Sequence, residues 1–432
     1  MRILRRGSRG NDVAEVQVRL SELGYIPGPI DGIFGAKTEA AVIRFQRDRG
    51  LTPDGIVGPL TYNVLFQPVP QPDYIPYTIK AGDTLYKLSL IYGVSVDELF
   101  AANPGVDPYQ LRIGQQIIIP KRPGRRHTFS AWIPYWVQQE AMAVVRQHAE
   151  LFTTLSPFWY ELTPTGDLLL YPNGEDSALI EFTLSRGIEL IPLIANNYDQ
   201  QLISTVLNNP TIRQRHVTQI VNKVLSMNYA GIEIDYENIA VTDRDLFVLF
   251  LRELKTALVP YDKKLYVAIQ AKTYADEPVS AGHDYLGIGS IVDVVRLMLY
   301  DYSWDTPGSI APVGWIQEVL DYAVTVIPSS KLEAGLPTYG YDWGTTRRGV
   351  TYDVAIRLAQ QYGAQIIQDP QGGPHFSYID ADEIVHEVWF INAIYFATFV
   401  DIVNQYTIRG ISIWYPGGDD PQIYTVIRDR LM

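Results

Sequence analysis

Three carboxylates lie at every second position of a short apolar stretch, residues 229–238, and their types and spacing suit acid–base chemistry. Glu233, Asp235 and Glu237 alternate with isoleucine and tyrosine side chains. Successive side chains of an extended strand point to opposite faces, so the three acids share one face, about 7 Å apart. At this distance each charge raises the pKa of the next carboxyl group. The alternative is an ordinary amphipathic strand whose acidic face lies in water.

Helical patterns on both sides indicate that this strand is covered. Residues 211–227 precede it and residues 243–258 follow it, as expected for an inner strand of a parallel α/β sheet. The acids would then point into a barrel lumen or a cleft. Paired carboxylates in a partly desolvated cleft suit cleavage of a glycosidic bond, because one can be protonated as general acid while another stays ionised.

The region after a basic linker, residues 127–432, has the length and pattern of an eight-stranded α/β barrel. Its strands are predicted by eight short apolar runs, residues 130–135, 154–158, 188–195, 231–236, 265–270, 294–300, 332–336 and 410–414. Several runs end in polar or aromatic residues, at the face where barrel active sites are built. Residues 340–385 are longer than a loop plus helix and predict a small inserted α+β subdomain.

The acidic stretch resembles the strand-four signature of glycoside hydrolase family 18, Asp-Gly-x-Asp-x-Asp-x-Glu. Gly231, Asp235 and Glu237 match this signature, whereas Ala230 and Glu233 stand where aspartates are expected. Altered signatures of this kind occur in barrels that only bind sugar, so a lectin-like barrel stays open as an alternative.

Later strand ends also resemble the family. Residues 298–301, Met-Leu-Tyr-Asp, are similar to its strand-six signature, and residues 335–339, Gly-Leu-Pro-Thr-Tyr, to its strand-seven end. Trp414 is similar to the strand-eight tryptophan that lies beneath the sugar. The resemblance implies that the substrate-binding residues are Glu233, Gln270, Met298, Asp301 and Trp414.

The resemblance also implies a mechanism in which the substrate's own acetamide is the nucleophile. Glu237 would protonate the leaving oxygen and later activate water, and Asp235 would hydrogen-bond the acetamido nitrogen. Tyr300 would orient the acetamido carbonyl. Retention of anomeric configuration follows from the two displacements. Glu237, Asp235 and Tyr300 are therefore the predicted catalytic residues.

Residues 1–66 predict a three-helix unit with two similar turns. Asp31-Gly-Ile-Phe-Gly and Asp54-Gly-Ile-Val-Gly each precede a helical pattern. Aspartate and glycine favour such turns for local structural reasons alone. The pair of turns resembles the peptidoglycan-binding type 1 domain.

Residues 75–121, after a proline-rich linker, predict a βααβ unit that closely resembles a LysM domain. LysM domains bind glycans that contain N-acetylglucosamine. The resemblance implies that Gly82, Asp83, Thr84 and Ile113 lie near a sugar groove.

Composition excludes several other classes. The net charge of −13 argues against a nucleic-acid or anionic-membrane partner. The chain has no cysteine and six scattered histidines, so we expect neither a metal nor another cofactor. No segment is long and apolar enough to span a membrane. The basic start lacks an apolar core, so we expect no secretory signal peptide.

The combination of domains resembles the spore-germination glycosylases of family 18. We therefore predict an N-acetylglucosaminidase that cleaves spore-cortex or cell-wall peptidoglycan, located in the bacterial spore or wall and monomeric. A chitinase or chitooligosaccharide hydrolase is the second hypothesis, and the non-catalytic wall-binding barrel is the third.

Overall fold

The structure, a computed structural model, describes residues 2–22, 25–49, 51–66, 74–80, 83–85, 88, 96–107, 111–120 and 127–431. The chain divides into two compact units, Met1–Tyr74 and Ile75–Met432. In the described part of the chain, no helix combines the length and the apolarity needed to cross a membrane.

The first unit has three helices, as predicted: α1 (Asn11–Glu22), α2 (Ala36–Asp48) and α3 (Pro59–Leu65). Their apolar faces enclose one small core. Its fully buried side chains include Leu4, Val13, Val16, Leu20, Phe34, Val42, Phe45 and Leu65. The helical spacing of these residues in the sequence accounts for the common core.

The two Asp-Gly turns of this unit have the same internal hydrogen bonds. Gln17 Nε2 donates to Asp31 Oδ1 at 3.1 Å, and its Oε1 accepts from the amide of the next residue, Gly32, at 2.9 Å. Gln46 repeats this pattern, donating to Asp54 Oδ1 at 2.7 Å and accepting from the following glycine amide at 2.9 Å. Both glutamines are buried. The sequence repeat is therefore a repeat of structure.

The LysM-like segment contains a two-stranded sheet of β1 (Tyr74–Thr78) and β2 (Gln116–Pro120), with α4 (Val96–Ala102) between them. Buried Asn103 joins the helix to the sheet, because its Nδ2 donates to Leu99 O and its Oδ1 accepts from the backbone of β2. The predicted first helix of this segment lies largely outside the described residues.

The remainder is a closed barrel of eight parallel strand positions, as predicted. Its strands are β3 (Thr128–Pro134), β4 (Thr154–Leu162), β6 (Glu189–Leu190) with β7 (Leu193–Ala195), β8 (Gly231–Asp235), β9 (Lys264–Gln270), β10 (Val294–Met298), β11 (Leu332–Pro337) and β17 (Gly410–Trp414). The third position is split between β6 and β7. Pairing of β3 with both β17 and β4 closes the barrel, and β5 (Leu168–Leu170) adds an antiparallel strand to β4.

Helices cover the outside of the barrel. They are α5 (Gln138–Gln147), α6 (Ser177–Arg186), α7 (Gln200–Asn208), α8 (Pro210–Ser226), α9 (Arg244–Leu258), α10 (Tyr285–Ile291), α11 (Val313–Val326), α13 (Ala393–Tyr406) and α14 (Ile423–Arg430). The helix before the acidic strand begins where expected for its sequence: Asn209 caps it, with its side chain accepting from Thr211 N at 3.1 Å, and Pro210 occupies the first turn. Gly231 is the first residue of β8. A glycine is needed there, because a Cβ would collide with the carbonyl of Lys264.

The inserted subdomain follows β11 and consists of an antiparallel sheet and one helix. The strand order is β13-β12-β16-β15-β14, with α12 (Tyr352–Tyr362) packed on the sheet. The strands are β12 (Tyr339–Trp343), β13 (Arg347–Thr351), β14 (Ile367–Asp369), β15 (Gly373–Ile379) and β16 (Val385–Trp389). The sheet thus extends from residue 339 to 389 and is slightly wider than the predicted 340–385, because β16 begins at the last predicted residue and adds four more.

Candidate active site

The three carboxylates of the acidic stretch lie at different depths. Glu233 is fully buried inside the barrel, whereas Asp235 ends β8 and Glu237 follows two residues later, both partly exposed. Glu237 lines a cavity of about 470 Å³ at this end of the barrel. The acids therefore point inward as predicted, but only the last two approach the open end.

Glu237 is held in position through its backbone. Its amide donates to Asn196 Oδ1 at 2.9 Å, and its carbonyl accepts from Asn196 Nδ2 at 2.9 Å. Asn196 directly follows β7 and is fully buried. Burial, followed by the charge of Asp301, raises the pKa of Glu237 from 4.5 to about 7. A carboxyl group with this pKa is still partly protonated at neutral pH, as a general acid requires.

Asp235 has a buried oxygen, Oδ1, without a hydrogen-bond partner among the described residues. Leaving a buried acceptor unsatisfied costs about 1–3 kcal/mol. Burial, followed by the charges of Glu237 and Glu233, raises the pKa of Asp235 well above its usual value. This oxygen keeps its capacity to accept a hydrogen bond, which none of the described residues fills.

Glu233 forms a buried ion pair instead of facing the cavity. Its Oε1 accepts from Trp132 Nε1 at 2.9 Å and its Oε2 from Arg296 Nη1 at 2.6 Å. Arg296 also donates to Glu333 Oε2 at 2.8 Å, and all of these side chains are buried. Both oxygens of Glu233 therefore have protein partners and the side chain has no exposed surface, so the structure does not bring it to the cavity with the other predicted residues. That Glu233 binds substrate stays a prediction.

The second departure from the family signature, Ala230, lies at the opposite end of β8 from the cavity. It packs against the buried side chains of Ile191, Tyr266 and Val294. An aspartate at this position would face an apolar cluster. The alanine therefore removes no group from the cavity.

Four other predicted residues surround Glu237 at the ends of neighbouring strands. Gln270 ends β9, Met298 ends β10, and Tyr300 and Asp301 follow β10; all four line the cavity. Burial, together with the nearby carboxylates, raises the pKa of Tyr300, so its hydroxyl remains a neutral hydrogen-bond donor. The structure thus brings these residues together with Glu237.

Asp301 is fixed by two tyrosines that sequence reasoning did not assign. Its Oδ1 accepts from Tyr339 Oη at 2.5 Å and from Tyr341 Oη at 2.8 Å. Asp301 has a left-handed backbone, with φ of 61°. Other non-glycine residues with positive φ near these strand ends are Asn197, Tyr198 and Asn238. Strained backbone of this kind clusters at functional sites.

Trp414 ends β17 and is partly buried next to the predicted catalytic tyrosine. Its ring lies 6.4 Å from that of Tyr300 at an interplanar angle of 25°, and 5.9 Å from that of Trp132. Trp414 is therefore part of an aromatic cluster beside the carboxylates. That it supports a sugar ring stays a prediction.

The predicted LysM residues are described only in part, since Gly82 lies outside the described residues. Asp83 Oδ2 accepts from Tyr77 Oη at 2.8 Å and from Lys80 N at 2.7 Å, so this carboxylate holds a turn. Thr84 is exposed, and the side chain of Ile113 is 74% exposed. Their contact with glycan stays a prediction.

Sequence reasoning missed Asn196 and Arg296, although each left a signal. Asn196 directly follows a predicted strand, which is where polar side chains reach the open end of a barrel. Arg296 is a single charge within an apolar barrel strand, and such a charge must find a buried partner.

The described residues contain no group of three or more histidine, aspartate or glutamate side chains that could hold a metal ion.

Three family models match the chain. Residues 178–419 match the glycosyl hydrolases family 18 and residues 77–120 the LysM domain. Residues 9–65 match a domain described, provisionally, as peptidoglycan binding.

Relatives in Bacillus cover nearly the whole chain. A Bacillus subtilis protein provisionally named sporulation-specific glycosylase YdhD is 31% identical, over 90% of this chain and 94% of the relative. The cortical fragment-lytic enzyme of Bacillus subtilis is 30% identical, over 82% of this chain and 97% of the relative.

Solved structures of a cortex-lytic enzyme and of a chitinase are also similar to this chain. The spore cortex-lytic enzyme SleL of Bacillus cereus is similar with a TM-score of 0.67 and 28% identity, covering 83% of this chain and 86% of that one. A chitinase of Chromobacterium violaceum is similar with a TM-score of 0.66 and 27% identity, covering 71% and 99%. Because the family model matches more than half of the chain, residues 178–419, this chain belongs to the glycosyl hydrolases family 18.

Proposed function

We propose that this chain is a peptidoglycan N-acetylglucosaminidase that cleaves the β-1,4 bond after N-acetylglucosamine with retention of configuration. The observation that carries the chemistry is the pair at the end of β8. Glu237 reaches the cavity with a pKa of about 7, and Asp235 keeps a buried oxygen without a partner among the described residues. One carboxyl can therefore give a proton while the other receives a hydrogen bond.

In the first step, Glu237 donates its proton to the leaving glycosidic oxygen while the substrate's acetamido oxygen attacks the anomeric carbon. The unpaired Oδ1 of Asp235 accepts a hydrogen bond from the acetamido nitrogen and stabilises the positive charge that develops there. Tyr300, kept neutral by burial, donates to the acetamido carbonyl and holds it for attack. General acid catalysis contributes about 10²–10⁴ in rate.

In the second step, Glu237 is ionised and acts as a base. It removes a proton from water, which attacks the anomeric carbon from the face that the aglycone left. The acetamide is released unchanged, and the glutamic acid regains its proton. Two displacements at one carbon retain the configuration.

The substrate assignment rests on the accessory domains and the relatives. The peptidoglycan-binding and LysM matches favour a wall glycan, and tethering by such domains raises the local concentration of polymer at the barrel. The similarity to a cortical fragment-lytic enzyme over 82% of the chain favours spore cortex or its fragments. We propose location in the spore or cell wall and action as a monomer, with domains at 1–66, 75–121 and 127–432.

The lectin-like alternative was motivated by Ala230 and Glu233. Both residues lie away from the cavity surface, whereas Glu237 and Tyr300 line it. The altered positions therefore leave the catalytic side chains in place, which favours an active enzyme.

Mass spectrometry of soluble products from purified spore-cortex peptidoglycan tests the proposal. Wild type should release fragments ending in reducing N-acetylglucosamine, and Glu237→Gln should release about 10²–10⁴-fold less. Glu181→Gln, an exposed residue of α6, is the matched control and should behave as wild type. Fragments from chitin but not from cortex would indicate a chitinase, and wall binding without any fragments would indicate the lectin-like barrel.

A further inference from the structure

One cation, Arg347, lies among the described side chains that line the cavity. The other charged lining residues are acidic, namely Glu237, Glu277 and Asp301. Arg347 is the first residue of β13, so it comes from the inserted subdomain and not from a barrel strand. The insertion therefore adds a positive charge to a cavity that the barrel makes negative.

The guanidinium of Arg347 is oriented by aromatic residues. Its central carbon lies 4.5 Å from the ring centroid of Tyr341 and 5.8 Å from that of Trp304, and its Nη1 donates to the backbone carbonyl of Trp304. Tyr341 in turn donates to Asp301 Oδ1 at 2.8 Å. Cation–π contacts hold a guanidinium in place without neutralising its charge.

No described carboxylate lies within ion-pair distance of Arg347. Its neighbour Arg348 differs in this respect, because it pairs with the buried carboxylate of Asp342 at 2.5 Å. An oriented guanidinium without a counter-ion among the described residues, in a chain of net charge −13, is suited to bind a carboxylate of a ligand, with paired N–H···O bonds.

Peptidoglycan differs from chitin in the substituent that such a cation would recognise. Every second sugar bears a 3-O-lactyl group, whose carboxyl is either free or joined to a stem peptide that has carboxylates of its own. We propose that Arg347 binds a carboxylate on the muramyl residue next to the cleaved N-acetylglucosamine and so selects peptidoglycan over chitin. This inference rests on the proposed function and adds a determinant of its specificity.

Steady-state kinetics of Arg347→Ala on two matched substrates test the inference. On muramyl oligosaccharides with a free lactyl carboxylate, kcat/KM should fall about 10- to 100-fold, mainly through KM, as expected for loss of a charge-assisted hydrogen bond. On chitooligosaccharides of equal length it should stay near the wild-type value. Arg347→Lys should recover part of the loss, since it keeps the charge but not the paired geometry. Arg357→Ala, an exposed arginine of α12 in the same subdomain, should change neither value.

Several outcomes separate the possibilities. A loss seen only when the stem peptide is present identifies a peptide carboxylate as the bound group and still supports a muramyl determinant. An equal loss on both substrates would overturn the inference, because Arg347 would then only shape the cavity, and so would no loss on either. If wild type cleaved chitooligosaccharides but no muramyl substrate, the proposed function would fail together with this inference. Unchanged selectivity in an enzyme that cleaves muramyl substrates overturns this inference alone.

Discussion

The turns of the N-terminal unit and the end of β8 both depend on aspartates, but the two regions treat the carboxylate in opposite ways. Asp31 accepts from the amide of Ile33 and from Gln17, and these bonds lower its pKa. Asp235 is partly exposed, but its Oδ1 is buried without a described partner, and its pKa is raised. Hydrogen bonds within a turn make the carboxylate of Asp31 a structural element, whereas a buried oxygen without described partners leaves Asp235 with unused hydrogen-bonding capacity.

Glu233 shows that burial alone does not create a reactive carboxylate. Its side chain is fully buried, yet Arg296 and Trp132 satisfy both of its oxygens. The difference between Glu233 and Asp235, two residues apart on one strand, lies in their partners. Variants that remove such partners or change these charges should therefore differ in the size of their effect on stability or turnover.

The largest effect should come from making a satisfied carboxylate unsatisfied. Arg296→Met leaves Glu233 and part of Glu333 buried without a counter-charge, which should lower the free energy of unfolding by about 3–5 kcal/mol. Urea denaturation followed by tryptophan fluorescence measures this change. The double variant Glu233→Gln with Arg296→Met should be more stable than the single Arg296→Met variant. The opposite ranking would contradict the ion-pair account.

Asp235→Asn should separate chemistry from stability. The amide cannot stabilise the developing positive charge as the carboxylate does, so kcat should fall about 10²–10³-fold on soluble oligosaccharides. The thermal midpoint should not decrease, because an unpaired buried carboxyl is replaced by a neutral group. Asp31→Asn is the matched control in the other region and should leave kcat unchanged. A parallel loss of kcat in both variants would remove the distinction between the two regions.

Glu237→Gln should gain stability over wild type as the pH rises. The pKa of Glu237 is 4.5 in the unfolded chain and about 7 in the fold. The stability that the protonated side chain contributes to the fold is therefore fully present below pH 4.5. Between these values the unfolded state loses its proton first, and the wild type therefore loses stability until about pH 7. The difference between variant and wild type should grow by about 3 kcal/mol across this range. Denaturation at pH 4 and pH 8 measures it, and a constant difference would mean that the pKa is not raised.

The smallest effect concerns the satisfied turns. Gln46→Leu removes the buried amide that bonds Asp54 and the glycine after it, which should destabilise the N-terminal unit by about 2 kcal/mol. Gln17→Leu should have a similar effect, since it makes the same bonds in the first turn. Hydrogen exchange of the helix amides in residues 11–65 measures the change. Turnover of soluble oligosaccharides should be unaffected, and a loss of turnover would contradict the assignment of a structural role.

Much of the fold was predictable because its signals are local. Short apolar runs predicted every barrel strand, and Asp-Gly turns predicted the N-terminal unit, since strand and turn preferences depend on neighbouring residues. Alternation of acidic and apolar residues in the stretch 229–238 predicted that Asp235 and Glu237 face inward. The width of the inserted subdomain was predicted less accurately, because the predicted range 340–385 ends at the first residue of β16 (Val385–Trp389).

The sequence by itself determined which side chains could do chemistry. These are Asp235 and Glu237, two residues apart on one strand face, and Tyr300, which follows β10. Only the tertiary structure decided which of them are free. Glu233 meets Arg296 across 63 residues, and the backbone of Glu237 meets Asn196 across 41. Hydrogen-bond satisfaction and burial are set by such distant contacts, and they determine the pKa of a carboxyl group more strongly than its neighbours in sequence do.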